Sequence, residues 1–323
     1  MNSSRTRGRT LECRFVAVAA LGSCLSCGGR EVGSYNPTAP SPFSRLLSRA
    51  AVVVVDDDGD SPSRSEGVLV GAGDIARCGL AGAELTASLL DGLPGTVFTA
   101  GDNAYMNGSA ADYRNCYAPT WGRHRSRTMP SPGNHEYHTA GAAGYFGYFG
   151  GVAGAVGQGY YSYTVGPWLV LAVNSEIPSG VGSAQLQWVR EQLMTSPRCT
   201  AVIWHRPLFT SGPNGPNADM RDLWRVLYEM DVDIIINAHD HLFERFAPQT
   251  PDGRPDPVRG IRQFTVGTGG GPLYQRARSA ANSEALGSVW GVASFTLQKD
   301  AYSWAFIPVE GQAFRDSGSG VCH

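Results

Sequence analysis

The stretch that decides the fold is residues 96–105, which read TVFTAGDNAY. Its first half is a short run of β-branched and apolar residues, and its second half contains the turn Gly101-Asp102-Asn103. Short apolar runs that end in turn residues are typical of buried strands. The stretch therefore predicts a strand with a carboxylate at its carboxyl end.

The same pattern recurs along the chain, because further apolar runs lead into polar residues at 68–70, 201–204 and 232–236. Apolar residues at helical spacing lie between the runs, at 81–90, 183–195 and 219–230. Alternating strands and helices predict α/β layers with ligands at the carboxyl ends of the strands. The last third is strand-like without a long helix, which predicts a second sheet packed on the first.

The polar residues that follow these runs are candidate metal ligands: Asp74, Asp102, Asn134, His205, His239 and His241. Carboxylates, an amide and imidazoles suit Fe, Mn or Zn. Six ligands are too many for one tetrahedral zinc with an open position, and they fit two metals that share a carboxylate. His239 and His241 are two residues apart, so in an extended segment they project to the same side.

In these motifs the chain resembles the calcineurin-like metallophosphoesterases. The matching residues are Gly73-Asp74, Gly101-Asp102-Asn103, Gly133-Asn134-His135-Glu136, His205 and Ala238-His239-Asp240-His241. The segments 102–105 and 239–245 resemble the purple acid phosphatase branch, in which a tyrosine three residues after the bridging aspartate binds ferric iron. Ala238 stands where the family usually has glycine, and His205 is followed by Arg206-Pro207, as in bacterial members.

The resemblance implies an α/β fold, a four-layer α/β/β/α sandwich of two mixed sheets, over a catalytic domain at 66–310. It also implies two metal sites. The Fe(III) site would contain Asp74, Asp102, Tyr105 and His241. The site for a divalent ion (Fe, Zn or Mn) would contain Asp102, Asn134, His205 and His239. His135 would contact the phosphate or protonate the leaving oxygen.

The implied reaction is hydrolysis of a small phosphate monoester by in-line attack of a metal-bound hydroxide, as in acid phosphatases. A phosphodiesterase or nucleotide-cleaving enzyme on the same site is the alternative, and a non-catalytic metal-binding surface protein is a further one. A dinucleotide-binding turn also matches residues 71–76, but it would place Asp74 beside the pyrophosphate. No Gly-x-Ser-x-Gly motif supports a serine hydrolase.

Composition excludes several other classes. Of 323 residues, 42% are hydrophobic and the net charge is -2, which is too apolar and too near neutral for a disordered chain. The 41 glycines show no Gly-X-Y period. The near-neutral charge gives no electrostatic basis for binding nucleic acid. Oligomeric state is not predicted by the sequence.

The N-terminus predicts export. Arginines at 5–14 precede an apolar run at 15–25, which is too short to cross a bilayer and is typical of a secretory signal. Residues 21–24 resemble a lipoprotein cleavage motif, in which Cys24 would be acylated and tether the protein to a membrane; an ordinary signal cut nearby is the alternative. We expect a signal at 1–27, a flexible linker at 28–65, a tail at 311–323, and a cell-envelope lipoprotein or a secreted or periplasmic protein.

Four cysteines remain after the signal, at 78, 116, 199 and 322. An oxidising compartment allows such an even set to pair. Cys78 and Cys116 each follow a metal motif, so we hypothesise a disulfide between them. His124 lies among arginines and is predicted to be solvated, and His138 either lines the pocket or faces water.

Overall fold

The computed structural model describes residues 66–195 and 199–323. The predicted signal, Cys24 and the linker at 28–65 lie outside the described residues. The strands are β1 (Glu66–Ala72), β2 (Thr96–Ala100), β3 (Thr128–Ser131), β4 (Tyr161–Val165), β5 (Trp168–Ala172), β6 (Thr200–Ile203), β7 (Ile234–Asn237), β8 (Phe243–Phe246), β9 (Arg262–Val266), β10 (Ser283–Gly287), β11 (Gly291–Gln298), β12 (Ala301–Pro308) and β13 (Asp316–Val321).

The α-helices are α1 (Gly82–Asp91), α2 (Ala110–Asp112), α3 (Ala143–Phe149), α4 (Ala184–Met194) and α5 (Arg221–Glu229). A single turn of π-helix covers Tyr113–Tyr117, and short 3₁₀ segments cover Trp121–Arg127, Glu136–His138, Ala140–Ala142, Gly150–Ala153 and Ala218–Met220. Helix α4 begins where predicted, because the Ser183 hydroxyl accepts a hydrogen bond from Leu186 N at 3.2 Å. In the described ranges, every helix is too short or too polar to span a bilayer.

The strands form two mixed sheets. One has six strands in the order β13-β12-β11-β1-β2-β3, of which β1, β2 and β3 are parallel. The other has seven strands in the order β10-β8-β9-β7-β6-β5-β4, with a parallel centre of β5, β6, β7 and β9. Parallel strands place their carboxyl ends at one edge of a sheet, so each sheet presents several strand ends together.

Apolar side chains fill the space between the sheets. Phe295 contacts Phe98 and Phe264 there, with ring centroids 6.2 and 5.0 Å apart. Helices α4 and α5 cover the outer face of the seven-stranded sheet, and α1 packs against β11 of the other sheet. Each fully buried large apolar side chain contributes about 1.5–3 kcal/mol. The layers are helix, sheet, sheet and helix, which confirms the predicted α/β/β/α sandwich.

The ordered domain continues beyond residue 310, where the sequence predicted a tail. Strand β13 pairs antiparallel with β12, and Gly318 and Gly320 lie opposite Trp304 and Tyr302. A Cβ at either glycine would collide with the opposing aromatic ring. The glycines therefore make room for two rings, and β13 becomes the edge strand of the six-stranded sheet.

Two disulfides link distant segments of the domain. Cys78 pairs with Cys116, which confirms the hypothesised bond between the loops that follow β1 and β2. Cys199 pairs with Cys322 and ties the residue before β6 to the segment after β13. Cross-links of this kind restrict the unfolded chain.

Candidate metal centre

The centre lies where strand ends of both sheets meet. β1, β2 and β3 of the six-stranded sheet and β6 and β7 of the seven-stranded sheet end at predicted ligands. These residues are Asp74, Asp102, Asn134, His205, His239 and His241. The structure brings them together with Tyr105, so all seven predicted ligand residues lie in one site.

Unusual backbone conformations turn the ligands into the site. Asp74, Asp102 and His239 have positive φ values of 57°, 49° and 70°. Few residues other than glycine adopt this conformation, and it tends to occur at functional sites. Gly133 is required for a different reason, because a Cβ there would collide with Asp102 Oδ1.

The first cluster of ligand atoms surrounds the Tyr105 hydroxyl. This oxygen lies 2.7 Å from Asp74 Oδ1, 3.0 Å from His241 Nε2 and 3.3 Å from Asp102 Oδ2. His241 Nε2 lies 3.4 Å from Asp74 Oδ1. The four atoms belong to the residues that the sequence predicts for the ferric site.

The second cluster surrounds His205 Nε2. This nitrogen lies 3.1 Å from Asn134 Oδ1, 3.2 Å from Asp102 Oδ2 and 3.2 Å from His239 Nδ1. The four atoms belong to the residues that the sequence predicts for the divalent site. Asp102 Oδ2 belongs to both clusters, as a bridging ligand does.

Each carboxylate uses one oxygen for the clusters and the other for the backbone. Asp74 Oδ2 accepts a hydrogen bond from His239 N at 2.8 Å, and Asp102 Oδ1 accepts one from His135 N at 2.8 Å. These hydrogen bonds hold Asp74 Oδ1 and Asp102 Oδ2 in place. The bond between Asp74 and His239 thereby joins the end of β1 in the six-stranded sheet to a predicted ligand that follows β7 in the seven-stranded sheet.

Backbone carbonyls orient two of the imidazoles. His205 Nδ1 donates to Ala100 O at 2.8 Å, and His241 Nδ1 donates to Pro272 O at 2.5 Å. In a neutral ring this leaves the Nε2 lone pair facing the cluster, which is the usual arrangement of a metal-binding histidine.

The donor set fits two metal ions. Metal–ligand distances of about 2.0–2.2 Å place neighbouring ligand atoms about 3 Å apart, which is the spacing in both clusters. Several close pairs join two acceptors, such as Asp102 Oδ2 and His205 Nε2. Such pairs need a proton or a cation between them, so the arrangement favours positive charge in each cluster.

The pKa values of the imidazoles reflect this demand. Burial disfavours a charge on His205, yet the adjacent Asp102 carboxylate raises its pKa to about 10. Burial, together with the charge on His205, lowers the pKa of His239 to about 3. Without a metal, a proton on His205 therefore balances the carboxylate, and a metal ion would displace that proton.

Removal of the metals should make stability depend on pH in two windows. The pKa of His205 rises from 6.5 to about 10, so its contribution is complete below pH 6.5 and is lost as the pH rises towards 10. The pKa of His239 falls from 6.5 to about 3, so stability is also lost as the pH falls from 6.5 towards 3. We expect these two imidazoles to contribute most to the urea midpoint of chelator-treated protein near pH 6.5. The raised pKa of the buried Glu136 adds a separate loss of stability as the pH rises between pH 4.5 and about pH 8.

The alkaline part of this profile has a direct control. His205→Asn should remove the fall between about pH 8 and pH 10. Because the charge on His205 also lowers the pKa of His239, the variant should lose less stability on the acid side than the wild-type protein does. If the urea midpoint of the chelator-treated wild-type protein does not change over the alkaline window, His205 does not supply the positive charge that the second cluster requires.

His135 lies beside the clusters. Its Nδ1 donates to Met106 O at 2.5 Å, and its Nε2 lies 3.8 Å from Asp102 Oδ2. His138 donates to the same carbonyl at 3.2 Å, and its ring centroid is 4.7 Å from that of His135. His138 is exposed at the rim of the site.

Sequence reasoning assigned no role to Glu136, although it stands in a quoted motif. Its side chain is fully buried and accepts five hydrogen bonds. The donors are Gly133 N (2.7 Å), Asn103 N (2.9 Å), Asp102 N (3.0 Å), Tyr113 Oη (3.2 Å) and Ala104 N (3.3 Å). Glu136 therefore holds the turn that carries Asp102 against the turn that carries Asn134.

Two further buried carboxylates were also missed. Asp240 accepts hydrogen bonds from Thr210 Oγ1 at 2.5 Å and Asn214 N at 2.9 Å. Glu244 accepts two from Ser211, at 2.5 Å from Oγ and 2.8 Å from N. They tie the loop at 209–218 to the segment that carries His239 and His241. Both residues stand in the segment 239–245, and that position was the one signal in the sequence that could have pointed to them.

Other residues differ from expectation or were not anticipated. His124 is buried, not solvated, and its Nε2 lies 3.1 Å from Ala87 O. Tyr274 stacks on His241 with ring centroids 4.1 Å apart and planes 5° apart. The methyl group of Ala238, where the family usually has glycine, packs against Gly73, at which a Cβ would lie only 2.5 Å from it.

A family model described as calcineurin-like phosphoesterase matches residues 73–243, which include all seven predicted ligand residues. No curated protein matches the sequence of this chain. The range begins at the glycine before Asp74 and ends at the start of β8, so it covers both clusters.

Several solved structures share the fold. A purple acid phosphatase from yellow lupin (Lupinus luteus) seeds matches with a TM-score of 0.67 and 19% identity, over 79% of this chain and 53% of that one. This chain thus spans about half the length of the lupin protein. GAP50, the anchor in the inner membrane complex of Plasmodium, has a TM-score of 0.64 and 12% identity, over 80% and 90% of the two chains. PhoD has a TM-score of 0.53 and 10% identity, over 80% and 69%.

Proposed function

This chain belongs to the calcineurin-like phosphoesterase family, and we propose that it is a purple acid phosphatase-like hydrolase of phosphate monoesters. Membership implies a phosphoesterase with a dinuclear metal centre. Beyond family membership, we propose three further properties: a preference for monoesters, activity of the acid phosphatase type, and iron in the first cluster.

One observation carries the proposal: two clusters of four ligand atoms meet at Asp102 Oδ2. When bound, two metal ions supply charge neutralisation of the phosphate and activation of the attacking water. The chain's own contribution is to fix the ligands before substrate arrives, through the backbone hydrogen bonds to Asp74 and Asp102. Such preorganisation removes reorganisation from the reaction step.

We expect His135, in its doubly protonated form, to supply the proton that the leaving oxygen needs. Its Nδ1 is held by Met106 O, so its Nε2 is the atom that faces the centre. General acid catalysis of this kind contributes about 10²–10⁴-fold. A small phosphorylated substrate would therefore lie between His135 and the two clusters.

Tyr105 supports Fe(III) in the first cluster. Burial, with the charges of Asp74 and Asp102, raises the pKa of its phenol well above the ordinary value of 10.0. Only a strong Lewis acid removes such a proton near neutral pH. The second cluster contains an amide and two imidazoles, which suit Fe, Zn or Mn in the divalent state.

The fold alone does not decide between an enzyme and a binding protein, since GAP50 is described as an anchor and shares it. In this chain all seven ligand positions carry side chains that bind metals, and His135 remains beside them. This complete set favours turnover. A phosphodiesterase on the same centre is the alternative that the assay below separates.

We extend the proposal to location. The two disulfides support the predicted export, because such bonds persist in oxidising compartments. A membrane tether through acylated Cys24 remains a prediction from the sequence.

The test combines metal analysis, a visible spectrum and hydrolysis. We expect two metals per chain including iron, a purple tyrosinate-to-iron band, and faster hydrolysis of p-nitrophenyl phosphate than of its bis-ester. Tyr105→Phe should abolish the band and lower monoester hydrolysis by about 10–100-fold. Tyr163→Phe is the matched control, since it removes a buried hydroxyl that has no hydrogen-bond partner among the described residues.

Two outcomes would defeat the proposal. Unaltered activity in metal-free protein would refute the metal-dependent mechanism. Preferential cleavage of the bis-ester would replace the monoesterase by the phosphodiesterase.

A further inference from the structure

Arg206 lies at the edge of the metal centre and has no role in the mechanism so far. It follows the ligand His205 directly, and its side chain is 32% exposed. Its Nε donates to both oxygens of Glu176, at 2.9 and 3.1 Å. Its Nη1 lies 3.3 Å from His239 Nε2. A guanidinium thus touches one ligand and is adjacent in sequence to another.

Glu176 is itself held in place. Its N–H donates to Asn174 Oδ1 at 3.0 Å, and Ser175 Oγ donates to its Oε1 at 2.8 Å. The same Ser175 Oγ accepts from Arg206 N at 3.2 Å. The Glu176 side chain is only 10% exposed. This network fixes the direction of the guanidinium before any ligand binds.

Metal binding changes what the guanidinium can contact. A neutral imidazole that binds a metal through Nδ1 carries its proton on Nε2, and His239 presents Nδ1 to the second cluster. Its Nε2 is then a donor and no longer accepts from Arg206 Nη1. Arg206 Nη2 has no hydrogen-bond partner within residues 66–195 and 199–323. Two nitrogens of a fixed guanidinium are therefore available to an acceptor beside the second cluster.

The guanidinium also reaches open space, because the Arg206 side chain is 32% exposed. A planar guanidinium fork matches the oxygens of a phosphate, which accept two parallel hydrogen bonds. We propose that Arg206 binds non-bridging oxygens of the substrate phosphoryl group and that Glu176 is its positioning residue. This inference rests on the proposed function, since it assigns a substrate-binding group to the same site.

The test measures binding as well as turnover. In metal-loaded protein, Arg206→Gln should weaken the calorimetric Kd for inorganic phosphate by about 10–100-fold. The KM for p-nitrophenyl phosphate should rise by a similar factor, kcat should change less, and metal content should stay the same. Arg206→Lys keeps the charge without the fork and should fall between. Arg190→Gln, at an exposed arginine paired with Glu229, is the control.

Glu176→Gln should give a smaller rise in Kd and KM, because it loosens Arg206 without removing it. Phosphate affinity within twofold of wild type in Arg206→Gln would overturn the proposal. Weakened binding that merely follows loss of metal would also overturn it. If Arg206→Gln does not fold, the same titration of Arg206→Lys decides. A wild-type protein that cleaves only diesters would refute the monoesterase, while phosphate titration would still decide the role of Arg206.

Discussion

Asp102→Asn should reduce phosphate ester hydrolysis by about 10³–10⁴-fold and lower the metal content from two ions to one or fewer per chain. Asp102 Oδ2 is the only atom common to both clusters, at 3.3 Å from the Tyr105 hydroxyl and 3.2 Å from His205 Nε2. The asparagine carbonyl can still accept the hydrogen bond from His135 N. Its amide nitrogen, a donor without charge, then occupies the bridging position.

Elemental analysis and p-nitrophenyl phosphate hydrolysis measure the two effects together. Asp252→Asn is the matched control, because Asp252 is exposed and its carboxylate lies 3.5 Å from Arg221 Nη1, away from the ligand clusters. A variant at position 102 that retains two metals and keeps activity within about tenfold of wild type would show that the two clusters do not share a bridging ligand.

The meeting of the predicted ligand residues in one site was predictable because each of the six at strand ends follows a strand directly or after a short turn. A side chain at a strand end has its position set by the sheet, so local sequence is enough to place it. The α/β fold was also predictable from local sequence, because strand patterns and helix patterns alternate along the chain. Tyr105 needed the resemblance, because nothing local distinguishes a ligand tyrosine from a core tyrosine.

Other parts depend on contacts between residues far apart in the chain. Residues 316–321 read as a polar, glycine-rich tail, and they form β13 only because Trp304 and Tyr302 cover the two glycines. His124 looked solvated among arginines, and its burial follows from packing against Ala87. Isolated sequence patterns do not contain such partners.

The supports of the site are long-range in the same way. Glu176 and Arg206 are 30 residues apart, and Glu136 is 32 to 34 residues from its donors in the Asp102 turn. A buried carboxylate is stable only where donors converge on it. Its role is therefore visible once the loops are in place, and the motif alone marks only its position.

Glu136→Ala should destabilise the protein by more than about 4 kcal/mol and prevent both metals from binding. The substitution leaves four backbone N–H groups and the Tyr113 hydroxyl without their acceptor in a fully buried space. Each unsatisfied buried donor costs about 1–3 kcal/mol. The turn that carries Asp102 would also lose its anchor to the turn that carries Asn134, so the bridging ligand would no longer be held.

Glu136→Gln keeps the shape of the side chain but replaces one of its acceptor oxygens with an amide group. One oxygen still accepts from Asn103 N and Ala104 N, whereas the amide group meets the Asp102 and Gly133 N–H donors and cannot accept from them. We expect a loss of about 2–3 kcal/mol in urea unfolding, with metal content reduced but not abolished. Glu229→Ala, at an exposed glutamate, should change neither quantity. If Glu136→Ala does not accumulate, Glu136→Gln decides, and stability within about 1 kcal/mol of wild type would show that the convergent hydrogen bonds do not hold the site.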